Sequence, residues 1–146
     1  MIKIITVGKV KSKHLDSLIN YYLKQVPRKV EIINIKDEPK IDGINKEGDA
    51  ILKQIKDSDY VIALAILGKN LSSEALALKI KNLELSSKNI TFIIGGSYGL
   101  SEAVLKRADY QLSFSKMTFP HQLMLLILVE QLYRGYMINI NHPYHK

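Results

Sequence analysis

The stretch "FIIGGSYGL", residues 92 to 100, decides the fold. An apolar run rich in isoleucine ends in three glycines spread over five positions, Gly95, Gly96 and Gly99. A short helical segment, "LSEAVLKRA" (100–108), follows at once, with Ser101 as its capping candidate. A buried strand that enters glycines and leaves as a helix is a βα turn. Glycines there let a backbone come close to something.

Outward from this turn the pattern repeats. "YVIALAIL" (60–67) is continuously apolar, as a strand buried on both faces must be. Ser72 or Ser73 caps the helix "EALALKIKNLEL", with Glu74 in its first turn. "IKIITVG" (2–8), "VEIINI" (30–35), "ITFIIGG" (90–96) and "YQLSFS" (110–115) complete five strands. Leu15, Leu18, Ile19, Tyr22, Leu23 and Val26 fall at helical spacing before Pro27, and a second helix, weakened by Gly48, is expected over 44–57. The last helix is expected over roughly 121–137, followed by the polar tail "NINHPYHK". Strands alternating with helices predict one α/β domain, a parallel sheet with helices on both faces, with no linker or repeat.

Composition sets the chemical limits. The 146 residues carry 21 Lys plus Arg against 14 Asp plus Glu, a formal charge of +7. A basic domain of this size points to a polyanionic partner, nucleic acid first, or to a plain basic bias. There are no cysteines, which excludes disulfides, thiolate metal sites and a cysteine nucleophile. The N-terminus carries Lys3 inside its apolar stretch and does not read as a signal peptide. The longest apolar run, "LMLLILV" (123–129), is too short to span a bilayer, so a soluble, cytoplasmic protein is expected. That run is apolar on every side and predicts a helix start buried all round, by its own domain or by a dimer partner.

Parallel sheets bind ligands beyond the carboxyl ends of their strands. Three ends stand out: "LGKN" with Gly68, "GGSYG", and "SKMTFPH". The dinucleotide pattern G-x-G-x-x-G and the P-loop are both absent, which disfavours NAD and nucleoside triphosphates. Backbone and apolar groups suit a flat, nearly neutral adenosine moiety better. "GSYG" lacks the spacing of a hydrolase elbow, and no Ser-His-Asp order or carboxylate pair stands out. His142 and His145 form an H-x-x-H pair without further ligands, so no metal is expected. His121 reads as a packing or capping residue and His14 as surface.

"IGGSYGL", "LSFSKMTFPHQ", "VEQLYRGY" and the terminal "NHPYHK", with "IKIITVGKVK" at the start, resemble the ribosomal RNA large subunit methyltransferase H family of the SPOUT superfamily. The likeness spans essentially the whole chain. It implies a C-terminal trefoil knot, bound S-adenosylmethionine and a homodimer. It also implies methyl transfer to N3 of a pseudouridine in helix 69 of 23S ribosomal RNA, late, on the assembled ribosome. Cofactor contacts carried over by motif are Leu64, Gly95 and Gly96, and Phe114, Ser115, Lys116, Met117, Thr118 and Phe119, with Gly68 and Pro120 shaping the loops. Because the imide N3 carries a proton, a base is needed near pH 7, and the tail offers His145 or His142 with Tyr144. Arg134 is expected to hold a phosphate or a developing negative charge, and the tail residues alternatively only position RNA. Lys9, Lys11 and Lys13 are either phosphate contacts or a solvated loop. The rival readings are a ribosome-binding protein without activity and a SPOUT methyltransferase for transfer RNA.

Overall fold

The computed structural model describes residues 1–146. Five strands form one parallel sheet: β1 (Ile2–Val7), β2 (Val30–Ile35), β3 (Tyr60–Asn70), β4 (Ile90–Ile94) and β5 (Tyr110–Ser113), in the order β2-β1-β4-β3-β5. The helices are α1 (Lys13–Leu23), α2 (Ile44–Leu52), α3 (Ser73–Leu85), α4 (Glu102–Arg107) and α5 (His121–Asn139). Right-handed crossovers dictate where they lie. The chain moves one way across the sheet through α1 and α3, and the other way through α2 and α4. The pairs therefore sit on opposite faces.

Side-chain alternation divides the core accordingly. Ile2, Ile4, Ile62, Leu64, Phe92 and Ile94 point into a large cluster under α1, α3 and α5. Ile5, Val7, Val61 and Ile93 point to a smaller cluster with Ile51 of α2 and Val104 of α4. Both faces are covered, which explains the continuous apolar runs of β3 and β4. Ser12, Ser72 and Ser101 cap α1, α3 and α4, their hydroxyls accepting from Leu15, Ala75 and Val104 N–H.

Two boundaries and one burial pattern differ from the sequence expectation for local reasons. α2 stops at Leu52, short of residue 57, and the Asp59 carboxylate takes the Lys56 N–H at 2.9 Å in the turn that follows. β3 runs on to Asn70, but with an excursion: Leu64 and Lys69 both pair with Leu112, so residues 65–68 loop out between them. At the start of α5, Leu125, Leu128 and Val129 are buried while Leu123, Leu126 and Ile127 are only half-buried. Within one chain the burial expected all round is therefore one-sided.

Candidate functional site

The excursion of β3, the turn after β4 and the segment after β5 meet at one end of the sheet. β3 and β4 are neighbours whose outgoing helices pass to opposite faces, which opens a crevice at their carboxyl ends. A cavity of about 900 Å³ lies there. Its wall is built from residues 64–67, 94–100, 111–115 and 117–121, with Leu105 and Met124, and contains no Asp, Glu, Lys or Arg.

Glycine is required on this wall and just behind it. A Cβ on Gly95 would stand 2.8 Å from the Gly99 backbone, and one on Gly68 only 2.6 Å from the Gln111 carbonyl oxygen. Gly99 has φ +80° and closes a turn by donating its N–H to the Gly96 carbonyl at 3.1 Å. The segment after β5 is stapled to itself: Ser113 Oγ donates to the Ser115 carbonyl, and Ser115 Oγ accepts the Met117 N–H. Asn70 Nδ2 ties the end of β3 to the Ser113 carbonyl at 2.8 Å. Leu64, Gly95, Gly96, Phe114, Ser115, Met117, Thr118 and Phe119 all line the cavity, while Lys116 is exposed and outside its wall. His121, the first residue of α5, also lines it, and its buried Nε2 has no hydrogen-bond partner and packs against Gly8.

The tail candidates gather elsewhere. Arg134 Nε and Nη2 donate to Glu130 Oε1 at 2.9 and 2.6 Å, and the Tyr144 hydroxyl donates to the same oxygen at 2.9 Å. The guanidinium also lies 4.8 Å from the Tyr144 ring centroid. Burial and the Glu130 carboxylate together push the Tyr144 phenol well above its ordinary range, so it stays a donor. His145 bridges α5 and α3: its Nδ1 is 3.0 Å from Arg134 Nη1 and its Nε2 meets the Glu74 carboxylate. Guanidinium only donates, so Nδ1 is an acceptor, and in the neutral ring the proton sits on Nε2 facing Glu74. Exposed His142 accepts the Tyr144 N–H on Nδ1 at 3.1 Å. In this arrangement neither histidine offers a free lone pair when neutral. Glu74, at the start of α3, is held below the usual carboxylate range, first by its own helix N–H and then by His145.

None of His142, Tyr144, His145 or Arg134 lines the cavity. Arg134 stands thirteen residues beyond His121 on α5, roughly 20 Å along a helix that rises 1.5 Å per residue. One chain thus carries two chemical centres, an uncharged crevice and a charged, aromatic tail clasp. Glu74 as an anchor of that clasp escaped the sequence reading of the site. The Glu130–Arg134 spacing of four was visible, but Glu74 lies 71 residues from its partner. No group of three or more His, Asp or Glu is brought together in a way that would hold a metal ion, and no helix is long and apolar enough to cross a membrane.

A parallel α/β sheet with a glycine-walled, uncharged crevice at its strand ends defines a class of small-ligand enzymes. The solved structure of a probable methylase family protein from Haemophilus influenzae Rd KW20 shares the fold, with a TM-score of 0.62 and 13% identity over 99% of this chain and 70% of that one. The family model described as predicted SPOUT methyltransferase matches residues 1–145. The chain belongs to that family and is an enzyme of methyl transfer. It is 55% identical to the ribosomal RNA large subunit methyltransferase H of Alkaliphilus oremlandii (strain OhILAs), over 99% of both chains. It is 54% identical to the protein of that name from Acholeplasma laidlawii (strain PG-8A), again over 99% of both.

Proposed function

We propose that this enzyme transfers a methyl group from S-adenosylmethionine to N3 of a pseudouridine in helix 69 of 23S ribosomal RNA, within the assembled ribosome. One observation carries the reading: an uncharged, glycine-walled cavity of about 900 Å³ in a chain 55% identical, end to end, to a large-subunit RNA methyltransferase. The wall fits the donor. Apolar side chains from Leu64, Ile94, Leu112 and Phe114 suit a flat adenine, and the closely packed backbone at Gly95 leaves no room for a side chain against it. The absence of charge disfavours a polyphosphate. When bound, S-adenosylmethionine supplies an activated methyl on a sulfonium.

The chain's own task is alignment and proton removal. The N3–H proton of the acceptor must leave as the N3–methyl bond forms. His145 can accept it only after Nδ1 is released from Arg134. A substrate phosphate or carbonyl that draws the guanidinium away does two things at once: it neutralises negative charge and frees the base. Glu74 then steadies the imidazolium through Nε2.

The separation of clasp and cavity within one chain supports a homodimer in which each tail serves the other protomer's cavity. The half-buried Leu123 and Ile127 on α5, which pack against neither core cluster, supply apolar surface for it. Threading of the segment after β5 past the β3 excursion, as a trefoil knot, belongs to the same proposal. The test offers labelled S-adenosylmethionine with unmethylated ribosomes, free large subunits and transfer RNA. The expected product is N3-methylpseudouridine in ribosomes. Label in transfer RNA alone would overturn the substrate.

A further inference from the structure

The cavity has an inner wall and an outer rim of different character. Leu64, Ile94 and Leu112 inside are buried. At the rim four large apolar side chains stand in solvent, from three different loops: Leu67 at 96% exposure and its neighbour Ile66 at 48%, Met117 at 72% and Tyr98 at 51%. Four such side chains converging on a cavity mouth are more than scattered surface apolars. Tyr98 is also the exposed aromatic of the lining, since Phe114 and Phe119 are half-buried. Its backbone is fixed: it sits in the turn closed by the Gly99 N–H on the Gly96 carbonyl and by a bridge between those two glycines. An aromatic ring on a rigid turn over a cavity mouth is a preorganised stacking platform.

We infer that Tyr98 is the stacking surface for the target nucleobase, with Leu67 and Met117 closing the apolar collar around it. The inference rests on the RNA methyltransferase reading and names the residue that receives the substrate. A base presented to a methyl donor must leave its own stack, and single-stranded RNA bases are held on aromatic faces because every base has a π surface. A second copy of this chain is the rival occupant of the rim. It is disfavoured because these residues edge a concavity, whereas α5 carries its own half-buried apolar stripe. Tyr98 makes the outer contact and the inner wall is left to the cofactor.

The test compares Tyr98→Phe, Tyr98→Leu and Tyr98→Ala with wild type, using unmethylated ribosomes and S-adenosylmethionine. Three quantities are read: kcat/KM for ribosomes, Kd for S-adenosylmethionine by calorimetry, and mass by sedimentation. Loss of one base–aromatic stack corresponds to roughly 5- to 150-fold. The expected result is a loss in that range for Tyr98→Ala and Tyr98→Leu, near-normal Tyr98→Phe, and unchanged cofactor affinity and mass. Unchanged kcat/KM in Tyr98→Ala overturns the inference while leaving the methyltransferase reading intact. So does Tyr98→Leu matching Tyr98→Phe, a weakened cofactor Kd that accounts for the loss, or a shift in mass. A wild type that methylates no ribosomal RNA overturns the reading and this inference with it.

Discussion

Replacing Gly95 by alanine separates cofactor binding from folding. The added Cβ would lie 2.8 Å from the carbonyl carbon and oxygen of Gly99 and 3.0 Å from Leu100 Cδ2. Ordinary contact begins near 3.4 Å, so the turn must retreat by about 0.6 Å from the cavity side of β4. Ser97, Tyr98 and Gly99 are exposed, so the closed turn can shift as one unit without deforming, which places the stability cost at the low end of the ~1–3 kcal/mol of overpacking. Affinity has no such relief, because the same turn is the wall of the cavity. A gap of about 0.5–1 Å forfeits about a quarter to a half of the contact energy between the atoms it separates, so a retreat of about 0.6 Å predicts roughly a tenfold weaker Kd for S-adenosylmethionine, ~1.4 kcal/mol. Gly99→Ala is the control: its Cβ meets nothing within 4 Å, but φ +80° costs ~1–2 kcal/mol. Titration calorimetry and thermal denaturation of both variants decide the matter. Wild-type Kd in Gly95→Ala would refute the assignment of this wall to the cofactor.

Three further outcomes follow from the geometry. His145→Ala should abolish methyl transfer and leave cofactor Kd unchanged, whereas His142→Ala, which loses only an exposed contact to the Tyr144 N–H, should retain measurable turnover. Full turnover in His145→Ala removes it as the base. A Cβ on Gly135, in the middle of α5, would lie 3.6 Å from Ala77 Cα, an ordinary contact, so Gly135→Ala should stabilise by ~0.5–1 kcal/mol and raise Tm by a few degrees. Burial pushes the Glu47 carboxyl up, reinforced by Asp37 and Glu38, although the Glu38 N–H at 2.7 Å opposes it. The folded state then holds the proton longer than the unfolded one. Stability should therefore fall as pH rises above the ordinary glutamate range, about 4.3, and Glu47→Gln should flatten that decline in urea titrations.

Much of this was legible in residue pattern. β3 and β4 announce themselves because both faces of the sheet are covered, leaving nothing polar to alternate. The serine caps at positions 12, 72 and 101 fall where the hydroxyls meet the third N–H beyond them. The excursion of β3 was not legible, because Ile66 and Leu67 extend the apolar run as a straight strand would, while in fact they leave the sheet at the cavity mouth. Nor was the clasp. A charged tail reads the same whether solvated or docked, and its anchor Glu74 reads as a first-turn helix residue until α3 and α5 are brought side by side. The periodicity of α5 called for burial on every face, and one chain covers only one of them.

Mixing two inactive variants tests most directly the claim that one protomer's tail completes the other's cavity. Gly95→Val displaces the turn that walls the cavity, and Arg134→Ala disarms the tail. In randomly re-formed dimers half are mixed and each mixed dimer has one intact site, so the mixture should recover about a quarter of wild-type methyl transfer to ribosomes. Activity no greater than the sum of the two variants alone would contradict the account.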